Sequence, residues 1–205
     1  MKHRQMPSLR SRRALEHASE RRADERHLTV YRMAKVLRAD DVGLWRVRNM
    51  SDRGMLLETD ATVAPNERLK IALSESVILP GRVVWSDEGR CGIAFDTSIS
   101  VAAVLQQLVA EREADGYRPL RLRVHCPARL LAEAVEREII VTSISQCGVG
   151  FTYEGALPDA ANVHVALANG VWRGGYVRWL RDGTAGLRLA SPFAPSELES
   201  VRGFI

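Results

Sequence analysis

A constant offset of 94 residues relates the two halves of this 205-residue chain. Asn49, Ser51, Gly54, Gly81, Trp85 and Gly92 fall without a gap on Ser143, Ser145, Gly148, Gly175, Trp179 and Gly186. Val30 and Ala34 fall on Val124 and Ala128 in the same register. Coincidence is a poor explanation for six landmarks, so one folding unit is used twice. A chain of this length buries one sizeable core or two small ones, and the repeat selects two.

The unit itself reads as strands. Leu28, Val30, Ala34 and Val36 alternate, as do Leu69, Ile71 and Leu73, and Val83–Trp85 follows Pro80-Gly81. Turn signals stand at Asp40–Gly43, Pro65-Asn66 and Asp87–Gly89. Short strands at this rhythm, with no long helix between them, predict a small antiparallel barrel. Apolar residues at Val101, Val104, Leu105, Leu108 and Val109 then predict an amphipathic helix, with Ser100 as its N-cap and Gly116 as its stop. Pro195–Val201 is the shortened counterpart after the second copy. The expected fold is all-β dominated: two tandem antiparallel barrels, each followed by a helix. Residues 1–20 form a basic arm, 21–115 the first domain and 116–205 the second.

The formal net charge is only +4, but basic residues crowd the segment before Arg32. Such a segment suits phosphates. Cys91, Cys126 and Cys147 show no pair spacing, so they read as structural thiols of a reducing cytosol, with neither a zinc site nor a disulfide frame. No apolar run reaches membrane-spanning length, and no signal-peptide core follows the basic start. The expected compartment is the cytoplasm. The chain offers no His-Glu-x-x-His, nucleophile elbow or P-loop, and an enzyme is not expected.

One stretch does carry chemistry. Arg22 and Arg26 form the only Arg-x-x-x-Arg in the chain, preceded by Arg21. Two guanidiniums at that spacing can close on one anion, and their forks suit phosphate oxygens or the guanine O6/N7 edge. Asn49, Ser51 and Gly54 add an amide, a hydroxyl and a residue tolerant of positive φ and close backbone approach. The two clusters together form a candidate nucleotide-binding lip. Arg46, Arg48 and Arg53 lie beside it as reserves. His17 and His27 have no acid or nucleophile beside them. Trp85 and Trp179 are expected to plug the two barrels rather than meet ligand.

At these residues the chain resembles the PilZ domain family, bacterial receptors for cyclic di-GMP. The paired motif carries the resemblance, with Gly81–Trp85 and Gly92–Phe95 continuing it. It implies six strands per barrel, and cyclic di-GMP as ligand with no other cofactor and no metal. It also implies ligand contacts at Arg21, Arg22, Arg26, Asn49, Ser51 and Gly54. In that reading ligand draws the arginine segment onto the barrel and changes the surface shown to a protein partner or to the second domain. The second copy departs from the pattern. The offset carries Arg22 to Gly116 and Arg26 to Leu120, and Ser143 stands where the first copy has Asn49. Arg118, Arg121 and Arg123 are near but out of register. The second domain is therefore expected to be a degenerate copy serving as spacer, docking module or homodimer surface.

Two other readings stay open. The basic arm would serve a nucleic-acid-binding regulator, against which the sequence shows neither a helix-turn-helix nor aromatic-studded strands that stack bases. A structural adaptor that binds no ligand would suit the second domain better than the first.

Overall fold

The computed structural model describes residues 32–114, 116–155, 157 and 161–204. Turn chemistry sets where the strands reverse. Glu88 and Gly89 both hold positive φ, 44° and 73°, in the two-residue loop between two strands. Asp182 and Gly183 repeat this at 49° and 69°. Positive φ at both positions is what a I′ hairpin needs to match the twist of its strands.

The first barrel is built from β1 (Arg32–Leu37), β2 (Val42–Ser51), β3 (Gly54–Glu58), β4 (Arg68–Ala72), β5 (Ile78–Asp87) and β6 (Arg90–Phe95). They close antiparallel in the order β1-β2-β3-β6-β5-β4. Helix α1 (Val101–Glu113) comes next. Ser100 caps it by accepting from the Ala103 N–H, as the sequence predicts, and Val101 and Leu108 are its buried residues. The helix ends sooner than Gly116, at the cap residue Ala114.

The second barrel repeats the plan with β7 (Leu122–Ala132), β8 (Val135–Ser145), β9 (Gly148–Thr152), β10 (Asn162–Leu167), β11 (Trp172–Arg181) and β12 (Thr184–Leu189). It closes as β10-β11-β12-β9-β8-β7. Two irregularities repeat as well, although β7 adds one between Arg123 and Cys126 that β1 lacks. Bulges lie between Val47 and Asn49 in β2 and between Val141 and Ser143 in β8. Others lie between Val83 and Trp85 in β5 and between Val177 and Trp179 in β11. In place of an α-helix, the second barrel is succeeded by two 3-10 turns, Pro195–Leu198 and Val201–Phe204.

Each barrel has its own core. Trp45, Val47, Leu57, Ile71, Val83 and Ile93 fill the first, with Val101 and Leu108 of α1. Phe151, Leu122, Ile144 and Val163 centre the second, sealed by Phe193, Leu198 and Phe204. Strand alternation on β2 then joins the two. Trp45 points into its own barrel, so Leu44 points out, and Leu44 is buried in the second core with Met33 and Val42 packed beside it. The C-terminal turns clasp the same strand. Trp45 Nε1 donates to the Glu199 carbonyl at 2.9 Å. The Glu199 carboxylate accepts from Thr59 Oγ1 at 3.1 Å and from the Asp60 N–H at 2.7 Å. Arg202 reaches Asp40. A Cβ on Gly43 would stand 1.9 Å from the Glu199 carbonyl oxygen, so only glycine permits this contact.

Candidate functional site

The groove of interest begins at a tight reversal. Ser51 pairs with Gly54 across the β2–β3 hairpin, and Ser51 Oγ donates to the Gly54 carbonyl at 3.3 Å. The tip is fastened from behind. The Asp52 carbonyl accepts from the Ile99 N–H at 2.9 Å, and Asp52 Oδ1 accepts from the Val101 N–H at 3.0 Å. A carboxylate on the first N–H of α1 also meets the positive end of that helix. The lip is thus rigidly tied to the helix.

Gly54 serves by close approach rather than by φ. It is not among the residues with positive φ, and a Cβ there would lie 2.1 Å from the Ile93 carbonyl oxygen. The bulge after Val47 turns Asn49 toward the groove, and its amide makes no hydrogen bond to the described residues. Asn49, Ser51 and Gly54 therefore come together, lining a groove of about 430 Å³. Arg53, Leu56, Val84 and Trp85 line it as well.

Trp85 corrects the sequence reading. It does not plug the barrel; it lies outside, 45% exposed, and Trp179 lies likewise at 43%. The bulge at Val84 restarts the alternation and sends the next side chain outward. Gly92 makes room for the indole, since a Cβ there would meet Trp85 Nε1 at 2.2 Å. One ring face rests on bare backbone and the other borders the groove. The tryptophan that does fill the first barrel is Trp45.

The remaining charges sort themselves. Arg46 and Arg48 both pair with Glu58, so neither points its charge at the groove. Arg38 pairs with Glu67 at 2.6 Å and lies over the Trp45 ring at 6.0 Å. The hydrogen bond from Arg38 holds the Glu67 carboxyl below the usual carboxylate range. Burial raises the Cys91 thiol to about 11, as fits an inert core residue. Among the described residues no group of His, Cys, Asp and Glu could hold a metal, and no helix is long and apolar enough to cross a membrane. Arg21, Arg22 and Arg26 lie outside the described residues, as do Leu28 and Val30 of the expected first strand.

The second barrel has the counterpart lip with other occupants. Ser145 Oγ donates to the Gly148 carbonyl at 3.1 Å, as Ser51 does to Gly54. Arg121 lies across this lip and donates from Nη1 to Ser143 Oγ at 3.1 Å. Burial, with Arg118 nearby, lowers the Arg121 pKa. A roomier cavity of about 890 Å³ opens elsewhere on this barrel, between Arg129, Arg137, Tyr153 and Trp172. Its guanidiniums already lie over the Trp172 and Tyr153 rings at 5.9 and 5.5 Å. Arg129 is also paired with Glu136 at 2.7 Å, and Glu138 and Glu154 add negative charge to the lining, so size alone does not make this cavity the site.

The family model of the PilZ domain matches residues 20–111. The first barrel with its helix is a PilZ domain, and the second barrel repeats its topology. Among curated proteins nothing matches the chain. Solved structures to which the chain shows some similarity include Borreliella burgdorferi PlzA in complex with c-di-GMP. It is 12% identical with a TM-score of 0.37, and the match covers 89% of this chain and 93% of that one. Bacillus subtilis MotI is 10% identical with a TM-score of 0.32, covering 82% and 91%. The MrkH–c-di-GMP complex of K. pneumonia is 12% identical with a TM-score of 0.31, covering 91% and 86%.

Proposed function

We propose that the first barrel is a cyclic di-GMP receptor that passes binding on to a partner through the rest of the molecule. The observation that carries this is the groove at Asn49, Ser51 and Gly54, lying inside a PilZ match that also spans Arg22 and Arg26. Arg22 and Arg26, with Arg21, supply guanidiniums for the phosphates and guanine Hoogsteen edges. Asn49 and Ser51 meet the remaining base edges from the barrel, and Trp85 offers an exposed aromatic face beside them. Ligand draws the arginine segment onto the lip. Because Asp52 fastens the lip to α1 and β2 runs on to the Glu199 clasp, occupancy is felt at both places. The role is that of a binding module of the cytoplasm, with no catalytic step and a protein as its downstream partner.

Isothermal titration of the full chain with cyclic di-GMP tests this. Saturable heat is expected, with selectivity over cyclic di-AMP and GTP. No heat at any concentration would leave the first barrel as an adaptor.

A further inference from the structure

The outer face of the second barrel carries charges that the first lacks. Tyr176 and Trp179 stand exposed on β11. Tyr176 lies opposite Arg188, and Trp179 opposite Gly186. Gly186 lies opposite Gly150, and Gly150 opposite Ser143. A Cβ on Gly186 would stand 2.2 Å from Trp179 Nε1, so the indole rests one face on bare backbone and turns the other to solvent. Arg178 and Arg181 flank it on the same exposed strand.

The charges on this barrel are segregated. Arg129, Arg173 and Arg202 are paired with Glu136, Glu197 and Asp40. Among the described residues Arg178, Arg181 and Arg188 have no carboxylate partner, and Arg121, at the lip, donates only to Ser143. The exposed tryptophan is common to both barrels, at Trp85 and Trp179, but the charges around it are not. At the 94-residue offset Arg178, Arg181 and Arg188 replace Val84, Asp87 and Ala94, and Tyr176 replaces Arg82. Three arginines thus stand where the first copy has two apolar residues and an acid.

We propose that this face binds single-stranded nucleic acid. Exposed aromatic rings accept bases of any sequence, while unpaired guanidiniums track the phosphates. A strand rises about 3.3 Å per residue, so Tyr176 to Arg181 extends roughly 16 Å. That length suits a chain of phosphates better than a single anion. Gly186 is the floor under the Trp179 indole, which leaves the outer face of that ring open to a base. The aromatic-studded strand that the sequence pattern does not announce is β11, and it lies on the second barrel rather than on the basic arm.

Fluorescence anisotropy with labelled 20-nucleotide dT and rU strands, and a duplex of equal length, tests this on the full chain. Single strands are expected to bind more tightly than duplex. The log–log salt slope should be between about −2 and −3, as three or four phosphate contacts on a single strand imply. The triple variant Arg178→Ala, Arg181→Ala, Arg188→Ala should lose most of that slope. Trp179→Ala should weaken binding about tenfold with the slope kept, the effect of losing one stacked base. Circular dichroism checks that both variants stay folded, and their cyclic di-GMP titration should match the parent, which separates this face from the first-barrel site. Three results overturn the proposal: no single-strand binding, a duplex bound as tightly, or binding that survives both variants. A polyglutamate chain bound as well as dT, and insensitive to Trp179→Ala, overturns it too, because charge alone would then suffice.

Discussion

Ser51 and Asn49 occupy adjoining places on the lip yet differ in what they have left to offer. The Ser51 hydroxyl proton is committed to the Gly54 carbonyl, so toward a ligand it acts as acceptor. Among the described residues nothing engages the Asn49 amide, which keeps its donors and its acceptor for a ligand. Asn49→Ala should therefore weaken cyclic di-GMP binding by about 0.5–1.5 kcal/mol, the net of a neutral hydrogen bond. Arg22→Ala and Arg26→Ala should each cost about 1–3 kcal/mol, the range for a good bidentate contact to guanine. Titration of the three variants decides it, and arginine variants that bind like the parent would move the site elsewhere. The identity of these polar residues is legible in the sequence because their spacing is local. The direction of Trp85 is not. A bulge at Val84 leaves no recognisable residue in the sequence but reverses every side chain after it. For Gly54 the sequence allows both positive φ and close approach; only the second applies, set by the Ile93 carbonyl across the sheet.

At the scale of elements, the helix after the first barrel and the turns after the second show what periodicity can and cannot reveal. Helix α1 obeys local rules at its Ser100 cap and along Val101, Val104, Leu105 and Leu108, whereas Val109 stays exposed and the end falls at Ala114 instead of Gly116. The segment after Pro195 answers to partners more than a hundred residues away, Trp45, Thr59 and Asp60, which no local pattern announces. Glu199→Ala should destabilise the chain by about 1–3 kcal/mol, since the Asp60 N–H loses its acceptor. Glu199→Gln keeps an acceptor and should be milder. The pH response gives a second reading. Burial raises the Glu199 pKa, against the hydrogen bonds from Asp60 and Thr59. A folded pKa above the unfolded one means the docked carboxyl favours its proton. Its contribution is complete below the usual carboxylate range and is lost as pH rises through the folded pKa. Glu67 runs the other way: its depressed pKa gives stability above that range, lost as pH falls through the folded value. Thermal melts across acidic to neutral pH should show a flatter upper limb in Glu199→Gln, with the acid limb unchanged. An identical upper limb in both proteins would rule out Glu199 as the titrating group.

The whole molecule behaves as more than two beads on a string, although the repeat alone would suggest beads. Leu44 sits on a strand of the first barrel and in the core of the second, while Glu199 and Arg202 reach back from the second to the first. Breaking the contact bares Leu44, Met33 and Val42 and orphans the Trp45 indole N–H, so neither barrel unfolds without cost to the other. Calorimetry should then give one transition for the parent. Leu44→Ala should lower stability by about 2–5 kcal/mol, the span for deleting a buried leucine side chain, and should begin to split the transition in two. Ligand supplies an independent probe of the same coupling. Cyclic di-GMP at about one hundred times its Kd stabilises the state that binds it by about 2.7 kcal/mol. If the barrels unfold together, hydrogen exchange should slow on β8 and β11 of the second barrel as well as on β2 and β3, although the proposed site lies on the first alone. In Leu44→Ala the protection should retreat to the first barrel. Protection confined there in the parent as well would mean that Leu44 joins the barrels in space without joining them in energy.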